Sequence, residues 1–227
     1  MAASQSFWSM PLSFPHPLVI FDLDGTLVDS APDIAEAVNR TLGDWKLPPY
    51  DLARITGWIG EGSRQLITYA MRAAGSEVDI DEVMPGFLKH YGDTALDGPA
   101  YPGVEDTLAA LHAQGVRLAV CTNKPEQFVR PLLQARGLLP YFDAIVGGDT
   151  LPERKPSGVP LQHLAAQFGV EVKDCLMVGD SEIDAAAAHA AGMPLVLVRY
   201  GYPKSLDLDA AGAFAVVDTF PELLQLR

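Results

Sequence analysis

Two aspartates, Asp22 and Asp24, stand one position apart at the end of an apolar run in "VIFDLDGTLVDS" (19–30), followed at once by Gly25 and Thr26. Further along are Thr122 and Asn123 in "CTN", Lys155 in "RKP", and Asp180, Ser181 and Asp184 in "GDSEID". A hard cation such as Mg²⁺ wants oxygen ligands, and placed between Asp22 and Asp180 it turns carboxylate repulsion into a binding site. With a phosphate oxygen on the metal and Lys155 nearby, the negative charge is offset and Asp22 is able to attack phosphorus in line. Asp24 is placed to protonate the leaving alcohol and then to activate water. In an ideal strand both aspartates face the same way, and the turn at Gly25 lets backbone approach phosphate oxygens. Thr122 and Asn123 offer a hydroxyl and an amide donor to the same phosphate.

Such residues need strand ends to hold them. Short β-branched runs recur at 17–22, 116–123, 143–148, 175–180 and 194–200, and the tail "AFAVVDTFPELLQLR" reads as a last strand and a short helix. The runs are unbroken, as in strands buried on both faces of a parallel sheet. Helical spacing separates them: Val104, Leu108 and Leu111; Phe128, Leu132 and Leu133, with Pro131 predicting a kink or restart; Val159, Leu161, Leu164 and Phe168; and the alanine-rich 183–191. The fold class expected is α/β, a doubly wound, Rossmann-like parallel sheet whose ligands gather beyond the carboxyl ends of the strands.

Strand and helix cease to alternate between residues 30 and 100, where Ile34, Val38 and Leu42, then Leu66, Ile67, Ala70 and Met71, recur at helical spacing. The division expected is a core from 1–29 and 101–227, carrying a helical insert at 30–100 that hinges on the Gly- and Pro-rich "LDGPAYPG" (96–103). Residues 1–16 read as a flexible leader without the positive charge of a secretory signal.

Composition narrows the partners. The chain of 227 residues is 48% hydrophobic and 20% charged, and it has no apolar run long enough to span a bilayer. A net charge of −13 repels nucleic acid and acidic membranes but not a small phosphorylated metabolite held by a metal and a lysine. Cys121 and Cys175 sit in strand-like runs as small core residues, which points to the cytoplasm. Monomer and homodimer are both compatible with the sequence. The five histidines have no metal-ligand spacing, and Asp29, Ser30 and Asp149 read as caps or loop stabilisers.

In "DLDGT" (22–26), "CTN" (121–123), "RKP" (154–156) and "GDSEID" (179–184) the chain resembles the haloacid dehalogenase-like superfamily of aspartate-nucleophile phosphotransferases. That resemblance implies Asp22 as nucleophile, Asp24 as acid and base, Thr122 as phosphate ligand and Lys155 as charge stabiliser. It also implies Mg²⁺ on Asp22, the backbone carbonyl of Asp24 and Asp180, with Asp184 orienting Lys155 or a metal-bound water, and a helical cap at 30–100. In "GGDTLPERKP" and "RYGY" the chain is further similar to bacterial phosphoglycolate phosphatases. In such enzymes a cap loop meets the leaving group. Here that loop is "GWIGEGSRQ" (57–65), with Gly60 and Gly62 open to a small anion, Arg64 as partner for a glycolate carboxylate, and Glu61 where related enzymes usually have Asn. A phosphatase or phosphomutase of the same superfamily acting on a sugar phosphate or amino-sugar phosphate remains open. A dehalogenase has no use for Asp24 and Asp180, and a phospho-receiver module carries no helical insert.

Overall fold

Six parallel strands form one sheet in the order β3-β2-β1-β4-β5-β6 in this computed structural model, which describes residues 14–226. They are β1 (Leu18–Phe21), β2 (Arg117–Cys121), β3 (Ala144–Val146), β4 (Cys175–Gly179), β5 (Leu195–Val198) and β6 (Ala215–Val217). Successive residues of a strand feed opposite faces. Val19 and Phe21 join Leu118 and Val120 in one apolar cluster, whereas Leu18 and Ile20 join Ala119 and Cys121 in another. Both faces are therefore buried, which is why the sequence runs do not alternate.

Helices α5 (Val104–Ala113) and α6 (Glu126–Ala135) cover the first face together with the 3₁₀ turns at Phe220–Gln225. Helices α7 (Val159–Phe168) and α8 (Glu182–Ala191) cover the second. No restart divides α6, which continues through Pro131 as one helix. A proline inside a helix forfeits one hydrogen bond, a penalty of about 3 kcal/mol. Val129, Leu132 and Leu133, all buried in the first cluster, anchor the helix on both sides of the proline.

The chain between β1 and α5 forms α1 (Ala31–Asp44), α2 (Leu52–Thr56), α3 (Ser63–Ala73) and α4 (Ile80–Thr94). Their apolar faces make a third cluster that includes Ile34, Val38, Leu42, Ile55, Leu66, Ile67, Met71, Phe87 and Tyr91. The entering and leaving segments run side by side. Val28 bridges Ala100 in antiparallel fashion, the Asp29 N–H donates to the Pro99 carbonyl at 2.9 Å, and the Tyr101 N–H donates to the Leu27 carbonyl at 3.0 Å. The Asp33 carboxylate accepts from the backbone N–H of Asp97 and Gly98 at 3.1 and 2.7 Å, which ties the first turn of α1 to the exit strand.

Most of the expected leader, residues 1–13, lies outside the described residues. Its end is not loose: Phe14 is buried in the first cluster, and its N–H donates to Gln114 Oε1 at 3.1 Å. Among the described residues no helix is long and apolar enough to cross a membrane.

Candidate active site

Strand pairing continues one residue past β1 and β2. The Asp22 N–H donates to the Val178 carbonyl at 2.9 Å and the Thr122 N–H to the Val146 carbonyl at 3.0 Å. Asp22 and Thr122 are thereby fixed by backbone rather than by side-chain packing. Asp180 follows β4, the strand beside β1, and Lys155 arrives from the loop between β3 and α7. Asp22, Asp24, Thr122, Asn123, Lys155, Ser181 and Asp184 line one cavity. Asp180 lies just beneath it, 1% exposed, and accepts from Thr26 Oγ1 at 2.9 Å and from the Tyr202 N–H at 2.6 Å.

Charge in this cavity is unbalanced. Asp22, Asp180 and Asp184 bring carboxylate oxygens within 4.8 Å of one another, with Lys155 between two of them: its Nζ is 2.8 Å from Asp22 Oδ1 and 2.6 Å from Asp184 Oδ1. Burial pushes Asp22 up to about 7; Lys155 opposes the shift, while Asp184 and Asp24 add to it. Asp180 is pushed well above the usual carboxylate range, first by burial and then by Asp184 and Asp22. Burial alone would lower the Lys155 ammonium, but Asp184 and Asp22 more than offset it and the group stays charged.

Burial is the largest cause of both shifts, and repulsion among the carboxylates adds to it. Buried oxygen donors with too few cations among them suit a hard divalent ion. The backbone leaves room for the cluster as well. A Cβ on Gly25 would come 2.4 Å from Asp180 Oδ2, and one on Gly201 2.4 Å from Asp180 Cβ, so neither position tolerates a side chain against this carboxylate. The cluster fits a divalent cation on Asp22 and Asp180, with Asp184 beside it and committed to Lys155 and Ser181.

Asp184 and Ser181 form a capping box at the start of α8: the Ser181 hydroxyl donates to Asp184 Oδ2 at 2.6 Å, and the same oxygen accepts from the N–H groups of Ser181 and Asp180 at 3.1 and 3.2 Å. One oxygen of Asp184 thus ends the helix while the other holds Lys155. Asp24 is held differently. Its Oδ1 accepts from Ser30 Oγ at 2.6 Å and pairs with Lys124 Nζ at 3.0 Å, while Oδ2 takes part in neither bond. Ser30 therefore does not cap α1 with its side chain, and Asp29 accepts from the Tyr202 hydroxyl at 2.6 Å. Asp149 does act as a loop stabiliser, accepting from the Glu126 N–H at 2.8 Å.

The Asn123 side-chain amide is not free to donate to a phosphate. Its Nδ2 donates to the carbonyls of Gly60 at 2.9 Å and Lys155 at 2.8 Å, which uses both amide hydrogens, and its Oδ1 is buried without a hydrogen-bond partner among the described residues. It bridges the 57–65 loop to the Lys155 loop instead. Thr122 Oγ1 accepts from the Lys124 N–H at 3.2 Å, which leaves its own proton for the cavity.

Of the four loop residues expected near a substrate, Gly60 and Gly62 line the cavity, with φ of 119° and 91° that only glycine adopts readily. Glu61 and Arg64 do not. Glu61 Oε1 accepts from the Tyr69 hydroxyl at 3.0 Å, and Arg64 Nη1 reaches Asp81 Oδ1 at 2.6 Å on the exposed surface. The reason is helical phase: Leu66, Ile67, Ala70 and Met71 of α3 turn inward, while Arg64, Thr68 and Arg72 follow one another at four-residue spacing on the other side. In place of Arg64 the cavity receives Lys124, Tyr91, Ser63 and Leu66. Lys124 was visible in "TNKP", directly after the two phosphate-ligand positions, but nothing local marks Tyr91, whose hydroxyl meets Lys124 Nζ from α4.

A family model described as haloacid dehalogenase-like hydrolase matches residues 16–192. The chain is 48% identical over 216 residues to the phosphoglycolate phosphatase of Cereibacter sphaeroides (strain ATCC 17025 / ATH 2.4.3), covering 92% of this chain and 98% of that protein. It is 43% identical over 215 residues to the plasmid-borne phosphoglycolate phosphatase of Cupriavidus necator, covering 93% of each. A crystal structure of a predicted phosphoglycolate phosphatase from Haemophilus somnus 129pt superposes with a TM-score of 0.87 at 38% identity, over 93% of this chain and 97% of that one.

Proposed function

The chain belongs to the haloacid dehalogenase-like hydrolases, and from that premise we propose that it is a Mg²⁺-dependent phosphomonoesterase whose substrate is 2-phosphoglycolate. The observation that carries the reading is the buried Asp22 carboxylate, 2.8 Å from Lys155 and lining the same cavity as Asp24. Lys155 and the Thr122 hydroxyl bind the phosphoryl oxygens. An Asp22 oxygen attacks phosphorus as the bond to the ester oxygen breaks, giving an aspartyl phosphate.

Asp24 gives its proton to the departing alkoxide through Oδ2, because Ser30 and Lys124 hold Oδ1. The same carboxylate then takes a proton from water, which attacks phosphorus and frees Asp22 and inorganic phosphate. Asp184 keeps Lys155 in place through both halves. Asp22, Asp180 and the backbone carbonyl of Asp24 would hold a bound Mg²⁺, which would supply positive charge against the phosphoryl oxygens.

Helices α1–α4, within residues 30–100, serve as a cap over the leaving group, and Asn123 latches its loop to the core through Gly60. Two features support a small leaving group. The cavity holds about 50 Å³, room for a few water-sized groups. Two relatives that match nearly end to end are phosphoglycolate phosphatases. Free, buried Cys121 and Cys175 suit a reducing compartment such as the cytoplasm.

The test is phosphate release from 2-phosphoglycolate, glucose 6-phosphate and glucosamine 6-phosphate, with Mg²⁺ or EDTA, by wild type and Asp22→Asn. Turnover should be highest on 2-phosphoglycolate, vanish in EDTA and fall by about a thousandfold or more in Asp22→Asn. Undiminished turnover in Asp22→Asn overturns the mechanism, and faster release from either sugar phosphate overturns the substrate.

A further inference from the structure

We propose that Lys124 reads the leaving group, by receiving a carboxylate that the substrate carries close to its ester oxygen. This rests on the phosphomonoesterase reading above and adds the residue that recognises the organic half of the substrate.

Two ammonium groups line the cavity, Lys155 and Lys124. Lys155 is engaged at the attacking end, between Asp22 and Asp184. Lys124 is at the other end, 3.0 Å from the carboxylate that protonates the leaving oxygen. Its side chain is 1% exposed, and two of its three donor hydrogens are directed at Asp24 Oδ1 and the Tyr91 hydroxyl. One donor remains, on a wall of the cavity. Ser30 also holds Asp24 Oδ1, at 2.6 Å, so Asp24 keeps an anchor while Lys124 serves a substrate.

Other cations are poorly placed for this task. Arg64 is occupied on the surface by Asp81. Arg154 and Lys204 come near Gly62 and Gly60 but do not line the cavity. The rest of the cap side is formed by Ile34, Ile59, Leu66 and Phe87 with Gly60, Gly62 and Ser63, and gives an organic anion no other charged side chain. A carboxylate entering this space loses its water and must find a cation.

Position also limits chain length. Because Lys124 is bonded to the group that meets the ester oxygen, the anion it receives must lie about one carbon from that oxygen. A 2-(phosphonooxy) acid meets the requirement, whereas the hydroxyl-rich carbon chain of a sugar phosphate carries no such charge.

The experiment compares kcat/KM for 2-phosphoglycolate with that for ethyl phosphate, which has a methyl group where the former has its carboxylate. Wild type should prefer 2-phosphoglycolate. K124M should slow both, because Asp24 loses an ion pair, but the preference itself should fall by about 10- to 100-fold, the range for one charged hydrogen bond, mostly through KM. K124R should keep most of the preference. K124Q fills similar space without charge and carries the same comparison if K124M fails to fold.

Equal loss on both esters in K124M or K124Q overturns the inference alone, since Lys124 would then merely support Asp24. A wild type without any preference for 2-phosphoglycolate over ethyl phosphate sinks the substrate assignment together with it, and leaves the aspartate mechanism standing.

Discussion

Asp22→Asn should abolish turnover and, in the absence of metal, make the protein more stable. Asp22 is raised from 3.8 to about 7, chiefly by burial. At about 1.4 kcal/mol for each pH unit, the ionised group costs on the order of 4 kcal/mol relative to an exposed aspartate. The Lys155 pairing is already contained in that shift; the amide returns part of the gain because its own N–H groups must be satisfied in a buried place, a loss of about 1–3 kcal/mol. Lys155 keeps Asp184 at 2.6 Å, so no buried cation is stranded. A net gain of about 1–3 kcal/mol should raise Tm by roughly 5 °C for a chain of this size.

The pH dependence checks the cause. Between pH 3.8 and about 7 folded Asp22 holds a proton that the unfolded chain has released, so wild-type stability declines as pH rises through that window. The variant has no such group, and its advantage should be greatest at pH 8 and shrink steadily toward pH 5. The assay is thermal melting by circular dichroism in EDTA across that range. A variant that melts at or below wild type at pH 8, or a gain that does not change with pH, refutes the reasoning.

Gly25→Ala should lose about 1–3 kcal/mol, because φ is +89° and the new methyl would come 2.4 Å from Asp180 Oδ2. Urea unfolding measures the loss, and calorimetric titration should show weakened Mg²⁺ binding; wild-type values in both would mean that this turn does not hold the acidic cluster. Arg64→Ala should change kcat/KM for 2-phosphoglycolate by less than about twofold, since the side chain is exposed and paired with Asp81. A tenfold rise in KM would bring it back to the substrate.

Much of the site is a consequence of local pattern. Unbroken apolar runs identify strands buried on both faces, a parallel sheet puts its ligands at the carboxyl ends, and Asp22, Thr122 and Asp180 are the first polar residues after three such runs. The capping box of Ser181 and Asp184 is likewise local, a matter of three residues. Even Arg64 was legible in part, because the apolar phase of Leu66, Ile67, Ala70 and Met71 already turns it outward.

What tertiary structure alone decided are contacts between distant segments. Tyr91 reaches Lys124 from α4, Asn123 gives its side-chain amide to the Gly60 and Lys155 carbonyls, and the Tyr202 N–H fixes Asp180 from the loop after β5. Periodicity tells a helix which face to bury but not which partner will meet that face, and an amide or ammonium has no preferred partner until docking removes the water it would otherwise bind. The sequence therefore determined the elements and the order of chemical groups on the sheet. Docking of α1–α4 decided which of those groups line the cavity and which hold these helices to the sheet.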